Sequence, residues 1–318
     1  MAAGKGGKKK GGGKGKIVRG LLLFGFLAAT LLAAFVLMIL RPFENQRRPA
    51  VRSSRDKPPI VHFEEGAAKP GSTAIEPQKE KKGPAPVVSA KPGPGRTAGE
   101  LPVLAIVIDD MGYQSELDEE LLRLDLGLTF AFLPHGPHTA TQAELAAKLG
   151  REVLLHFPME PDDHRWDPGP GAATIGMSPA RLREVFAEDR SLVPQAVGIN
   201  NHMGSRFTRD SAAMRGFLAL VRDSRLFFLD SLTSPDSVGY SLAKEMGVKT
   251  GRRQVFLDNV RDQALIVTQI RQLLAIAEQQ GEAIGIGHPY PQTLAALRAA
   301  RPEIMARARM LAVSRLLQ

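Results

Sequence analysis

Cysteine is absent from the 318 residues. That excludes thiolate catalysis and every zinc site built on sulfur, and it neither demands nor excludes an oxidising compartment. Neither a Gly-x-Gly-x-x-Gly nor a Walker A pattern is present, so a nucleotide cofactor has no support. The chain is also short of acid, with 42 Lys+Arg against 33 Asp+Glu and a net charge of +9. Such a balance invites a nucleic-acid reading, but the excess is local. Residues 1–100 hold 19 Lys+Arg against 7 Asp+Glu, leaving 23 against 26 for the remainder. The folded part is near neutral, and no nucleic-acid partner is expected.

What the N-terminal third does have is a basic start and one long apolar run. Lys5, Lys8, Lys9, Lys10, Lys14 and Lys16 precede residues 21–40, which carry no charge. At about 1.5 Å per residue this run spans the roughly 30 Å of a bilayer core. A cleaved signal peptide shares the pattern, but its apolar region is normally about 7 to 15 residues long. The length favours an uncleaved transmembrane anchor over residues 17–40, after a basic cytoplasmic tail at 1–16. The positive-inside rule then puts the rest of the chain across an inner membrane, in the periplasm or outside the cell. Residues 41–100, rich in Pro, Lys, Glu, Ala and Gly, bury too little apolar surface to order themselves and read as a disordered tether.

Residues 101–318 carry the chemistry. Six short apolar runs stop on Asp, His or Asn: 103–108 into Asp109-Asp110, 153–155 into His156, 197–199 into Asn200-Asn201-His202, 226–229 into Asp230, 255–257 into Asp258, and 283–287 into His288. A further strand is expected at 128–133. Buried parallel strands read as continuous apolar runs, and in α/β folds the chemistry collects at their carboxyl ends. Helical patterns lie between them, at 114–123, 141–149, 180–188, 210–221, 237–246 and 262–280. Ser178-Pro179 forms an N-cap before an N1 proline, and Thr141 and Glu144 have capping-box spacing. Seven strand–helix units predict an α/β fold, a complete or distorted (β/α) barrel of seven or eight mainly parallel strands. Residues 309–313 fit either a last strand or a terminal helix.

Each candidate has a plainer role beside the chemical one. Adjacent carboxylates Asp109 and Asp110 can divide labour between cation binding and base catalysis, or one of them can cap the next helix. His156 reads as a metal ligand or as a hydrogen-bonded core group. Glu160, four residues on, is a ligand, a ligand's partner or a surface charge. Turn chemistry accounts for Asn201 and Gly204 but not for His202. Asp258 has a strong claim as a helix cap.

The order of Ile106-Val107-Ile108-Asp109-Asp110-Met111-Gly112, Leu155-His156-Phe157-Pro158-Met159-Glu160, Gly198-Ile199-Asn200-Asn201-His202-Met203-Gly204-Ser205, Phe228-Leu229-Asp230-Ser231 and Ile286-Gly287-His288-Pro289 resembles the divergent polysaccharide deacetylase family, a branch of the NodB-homology carbohydrate esterases. The resemblance implies a distorted barrel with Asp109 as base and Asp110 as metal ligand. His156 would be a second ligand. Glu160 stands where the main family has another His, so His202 is expected to complete the set. His288 would be the general acid, and Asp230 would orient a catalytic partner. The family's Arg-x-Pro-aromatic motif has no counterpart. Two imidazoles and a carboxylate suit zinc, although manganese, iron or cobalt would also fit. The function implied is metal-dependent removal of acetyl groups from amino sugars of an envelope polysaccharide or peptidoglycan. The alternatives are a silent domain that binds glycan or an envelope partner, and hydrolysis of another bond.

Overall fold

The structure, a computed structural model, describes residues 100–318. The expected basic tail, anchor and tether lie outside the described residues, among which no helix is long and apolar enough to cross a membrane. Among the described residues nine strands form one parallel sheet: β1 (Val103–Met111), β2 (Thr129–Phe132), β3 (Glu152–Met159), β4 (Gly198–Met203), β5 (Phe227–Asp230), β6 (Thr250–Arg252), β7 (Val255–Phe256), β8 (Glu282–Gly287) and β9 (Arg309–Met310). Their order is β6-β5-β4-β3-β2-β1-β8-β7, with β9 added to β1.

This order is circular except at one seam, between β6 and β7. Only Arg253 and Gln254 separate those strands. The Arg253 amide donates to the Asp230 carbonyl at the end of β5, and the Gln254 amide donates to the Ile284 carbonyl of β8. One extended run therefore passes from one edge of the curled sheet to the other. The barrel expected from the alternation is present, distorted and open along this seam. β6 was not foreseen, because Thr250-Gly251-Arg252 is neither continuously apolar nor alternating.

Side-chain alternation divides the core in two. Ala105, Val107, Ala131, Leu154, Leu229, Ile284 and Ile286 face the barrel interior. The opposite positions, among them Leu104, Ile106, Ile108, Phe157 and Phe228, pack against the helices. Gly198 has no side chain because the Phe227 ring fills that space; a Cβ there would meet it at 2.3 Å.

The amino end of the barrel is plugged by the last residues. After β9 the chain makes a 3₁₀ turn (Val313–Arg315), which settles the choice left open at 309–313, and Val313, Leu316 and Leu317 enter the interior cluster. The Val313 amide donates to Thr129 Oγ1 (3.1 Å) and the Ser314 amide to Glu152 Oε1 (3.0 Å). Gln318 and Thr250 exchange both backbone hydrogen bonds.

Seven helices of the described residues cover the outside: α1 (Glu116–Leu122), α2 (Thr139–Lys148), α3 (Pro179–Leu192), α4 (Ser211–Asp223), α5 (Gly239–Glu245), α6 (Gln263–Gln280) and α7 (Pro291–Arg307). Ser178, Asp210 and Asp262 cap α3, α4 and α6 by accepting from the amides of Arg181, Ala213 and Leu265, each worth about 1 kcal/mol. The capping box at Thr141 is not formed. α2 starts two residues earlier, and the Thr141 hydroxyl donates back to the His138 carbonyl. α7 was unexpected, since Pro302 interrupts its pattern.

Candidate metal centre and active site

Alternation that places Val103, Ala105 and Val107 inside the barrel also places Asp109 inside, at the mouth. It does the same for His156 after Leu154, for Asn200 and His202 after Gly198, and for His288 after Ile286. Asp110 breaks the rule. Its register with β2 shifts between Ile108 and Met111, and its φ is +56°. This bulge turns a side chain that would face the helices into the mouth beside its neighbour. A left-handed residue other than glycine is uncommon, and such strain concentrates at functional sites.

Asp110 Oδ1 lies 2.9 Å from His202 Nδ1 and 3.1 Å from His156 Nε2, and the two nitrogens are 3.2 Å apart. All three residues are buried. His156 Nδ1 is held at 2.9 Å from Asn200 Oδ1, while Asn200 Nδ2 donates to Asp109 Oδ1 at 2.7 Å. The amide is thereby oriented: its oxygen accepts from Nδ1–H, so the lone pair of Nε2 points at the cluster. Despite two nitrogens within 3.1 Å, Asp110 Oδ1 accepts no hydrogen bond. A buried carboxylate oxygen without a donor, converging with two imidazole nitrogens, fits a divalent transition metal.

Charge in this mouth is tightly balanced. Burial opposes ionisation of Asp110, but His202 and His156 outweigh it and hold the carboxyl well below the usual carboxylate range. Burial dominates at Asp109 and pushes its carboxyl up, against the pull of His156 and His288. Burial lowers both His156 and His288, yet the carboxylates around them win and raise both imidazoles, with Asp109 acting first on His156 and Asp258 first on His288.

Asp258 is the residue that sequence reasoning undervalued. Its Oδ1 lies 2.8 Å from His288 Nδ1, while its Oδ2 accepts from the His288 amide (2.6 Å) and from Thr293 Oγ1 (2.7 Å). Phe256 and Tyr290 flank the imidazole, each with its ring centroid 5.9 Å away. Asn200, which links Asp109 to His156, was also given no role. The signal for both was their position at strand ends, but their partners sit on neighbouring strands, a relation that only the barrel order reveals.

Asp230 and Glu160 do not join the cluster. Phe227 and Leu229 face the interior, so Asp230 faces outward, where it accepts from the Leu232 amide, Ser237 Oγ and the Tyr240 amide. It shapes the turn that presents Ser231, whose Oγ accepts from Asn200 Nδ2 at 3.2 Å. Glu160 accepts from the Ile175 amide (2.6 Å) and Arg206 Nη1 (2.9 Å), fastening the loop after β3. His202, from the next strand, supplies the nitrogen that Glu160 lacks. At the seam the half-buried Arg253 donates to the carbonyls of Ser231 and Leu232 and lies 3.6 Å from the Phe256 ring centroid.

Fold and site together define a curled parallel α/β barrel with a two-histidine, one-carboxylate cluster at the carboxyl ends of its strands. The sequence profile of the divergent polysaccharide deacetylases matches residues 106–317, and the chain belongs to that family. It is 36% identical over 202 residues to an uncharacterised Haemophilus influenzae protein, covering 62% of this chain and 70% of that one. Escherichia coli YibQ is 35% identical over 195 residues, and the match spans 61% of each protein, less than two thirds of YibQ. The crystal structure of an uncharacterised protein from Agrobacterium tumefaciens C58 superposes with a TM-score of 0.65 at 25% identity, covering 70% of this chain and 91% of that one.

Proposed function

We propose that the chain is a membrane-anchored, metal-dependent hydrolase that removes acetyl groups from amino sugars of an envelope glycan such as peptidoglycan. The observation that carries this reading is the meeting, at one mouth, of three converging ligand atoms with a raised carboxyl and a carboxylate-held imidazole. Asp110, His156 and His202 would hold the metal, for which zinc is the choice. When bound, it supplies Lewis acidity toward the acetamide carbonyl.

The chain's own residues move the protons. Asp109, its carboxyl raised by burial and oriented by Asn200, accepts a proton from the attacking water. His288, with Nδ1 committed to Asp258, presents Nε2 as the donor to the departing amine. Water and the acetamide become acetic acid and an amine, which leave as acetate and ammonium, and the proton gained by Asp109 balances the one given up by His288. An anchor at 17–40, expected from the length of the uncharged apolar run, would put this chemistry outside the inner membrane. A domain that binds glycan without turnover is the competing reading. A third ligand supplied by His202 supports turnover over binding alone.

The test is acetate release from N-acetylated glycan by the full-length, zinc-loaded chain. Asp109→Asn should lower kcat by about 10² to 10⁴ and leave metal stoichiometry unchanged. Absence of acetate from peptidoglycan and chitin oligomers, with metal bound, would sink the hydrolytic reading.

A further inference from the structure

Beside His202 lies a cavity of about 380 Å³ whose remaining polar side chains the proposed reaction does not use. His202 forms part of its wall, beside Tyr113, His135 and Trp166, with Pro158 and Pro168 as rigid apolar surface. Trp166 is the chain's single tryptophan.

His135 is held from behind. Its Nε2 lies 2.9 Å from Asp189 Oδ1, and the Asp189 side chain is wholly buried within α3 while the imidazole keeps 24% of its surface exposed. Asp189 Oδ2 has no hydrogen-bond partner. The loop after β3 packs on the same carboxylate through Gly171, at φ +79°, where a Cβ would lie 2.3 Å from Oδ1. One carboxyl group thus joins the loop after β2, helix α3 and the loop that carries Trp166. Burying an acid this way is costly, and burial pushes its carboxyl up to about 8. An apolar side chain could hold α3 against the loops equally well. What the acid adds is one imidazole locked in a fixed orientation at the cavity wall.

A pyranose ring presents apolar C–H faces and a rim of hydroxyls. Aromatic surface with a few placed polar groups is what binds such a ligand. We propose that this cavity is a subsite for the sugar ring next to the reacting residue. Trp166 and Tyr113 form its apolar wall, His135 recognises a hydroxyl, and Asp189 is the positioning residue for His135. The choice of ligand rests on the glycan-hydrolase reading, but binding and turnover separate the two.

Trp166 supplies the readout, because its emission can be excited selectively in the full-length chain in detergent micelles. Titrating β-1,4-linked N-acetylglucosamine tetramer into the metal-stripped protein should give a saturable change in that emission. His135→Ala should weaken binding about tenfold with an unchanged melting temperature, and His135→Gln, which keeps a hydrogen-bonding side chain, should weaken it less. Asp189→Asn should weaken binding in the native background and have no further effect in His135→Ala, whereas a merely structural role would be additive. No saturable change up to about 10 mM tetramer, or native affinity in His135→Ala, would overturn the subsite. Saturable, His135-dependent binding without acetate release would preserve it and overturn the hydrolytic reading instead.

Discussion

The two ends of the barrel are built from the same strands to opposite ends. At the amino end Val313, Leu316 and Leu317 fill the interior, and Gly251 leaves room for the Leu317 side chain. At the carboxyl end the inward positions are Asp109, His156, Asn200, His202 and His288, all buried, with Asp110 turned in by a left-handed backbone and left without a donor on Oδ1. The plug maximises burial and satisfies its backbone. The mouth gathers charge and strain that packing alone would never select. The packed plug therefore sits at one end and the candidate site at the other, so substitutions at the two ends should fail in different ways.

The sharpest break of that contrast is a pair of variants. His202→Ala should lower metal affinity by at least about a hundredfold and abolish acetate release, while shifting the melting temperature of the metal-free protein little. Leu317→Ala should do the reverse. Deleting a buried leucine costs about 2 to 5 kcal/mol, so the melting temperature should fall while metal stoichiometry in the folded protein stays native. Parallel loss of both properties in either variant would mean that the two ends are not independent.

A smaller effect comes from pH. His156 and His288 are raised above the ordinary 6.5, the first pulled up by Asp109 and the second by Asp258 against the lowering effect of burial. Their contribution is complete below pH 6.5 and is lost as pH rises through their folded values. Burial raises Asp118 to about 6 and Asp189 to about 8, from 3.8. A raised acid also costs stability as pH rises, so all four groups act with the same sign. Metal-free protein should therefore melt at progressively lower temperature from pH 6 to pH 8.5. Metal binding requires neutral imidazoles, so the increase in melting temperature on adding zinc should grow over the same interval. A flat metal-free profile would contradict the charge balance described at the mouth.

Much of this architecture was legible because buried parallel strands are apolar along their length and end abruptly in polar residues. That pattern marks β1, β3 to β5, β7 and β8, and with them the three residues whose ligand atoms converge at the mouth. Less legible were features set by relations between strands. Asn200 meets His156 because the two are register partners on β3 and β4, and Asp258 meets His288 because β7 lies beside β8. The outward turn of Asp230 follows from the parity of β5, which depends on which of its residues face the interior. The rotation of Asp110 could not be read from spacing at all, since a one-residue bulge inverts the face of everything after it.

Glu160 gives the smallest and most discriminating test. Along the sequence it lies four residues after His156, the spacing at which a second ligand is expected, and a carboxylate is a chemically suitable one. In space it turns away from the mouth to the Ile175 amide and Arg206, and the third converging atom comes from His202 on the adjacent strand. Glu160→Gln keeps the shape and one acceptor but removes the charge that faces a half-exposed arginine. Such a pair is worth about 1 kcal/mol or less, so the melting temperature should drop by only a few degrees, with zinc stoichiometry and affinity unchanged. A loss of zinc on this substitution alone would place Glu160 among the ligands and make linear spacing, rather than strand neighbourhood, the better guide to the site.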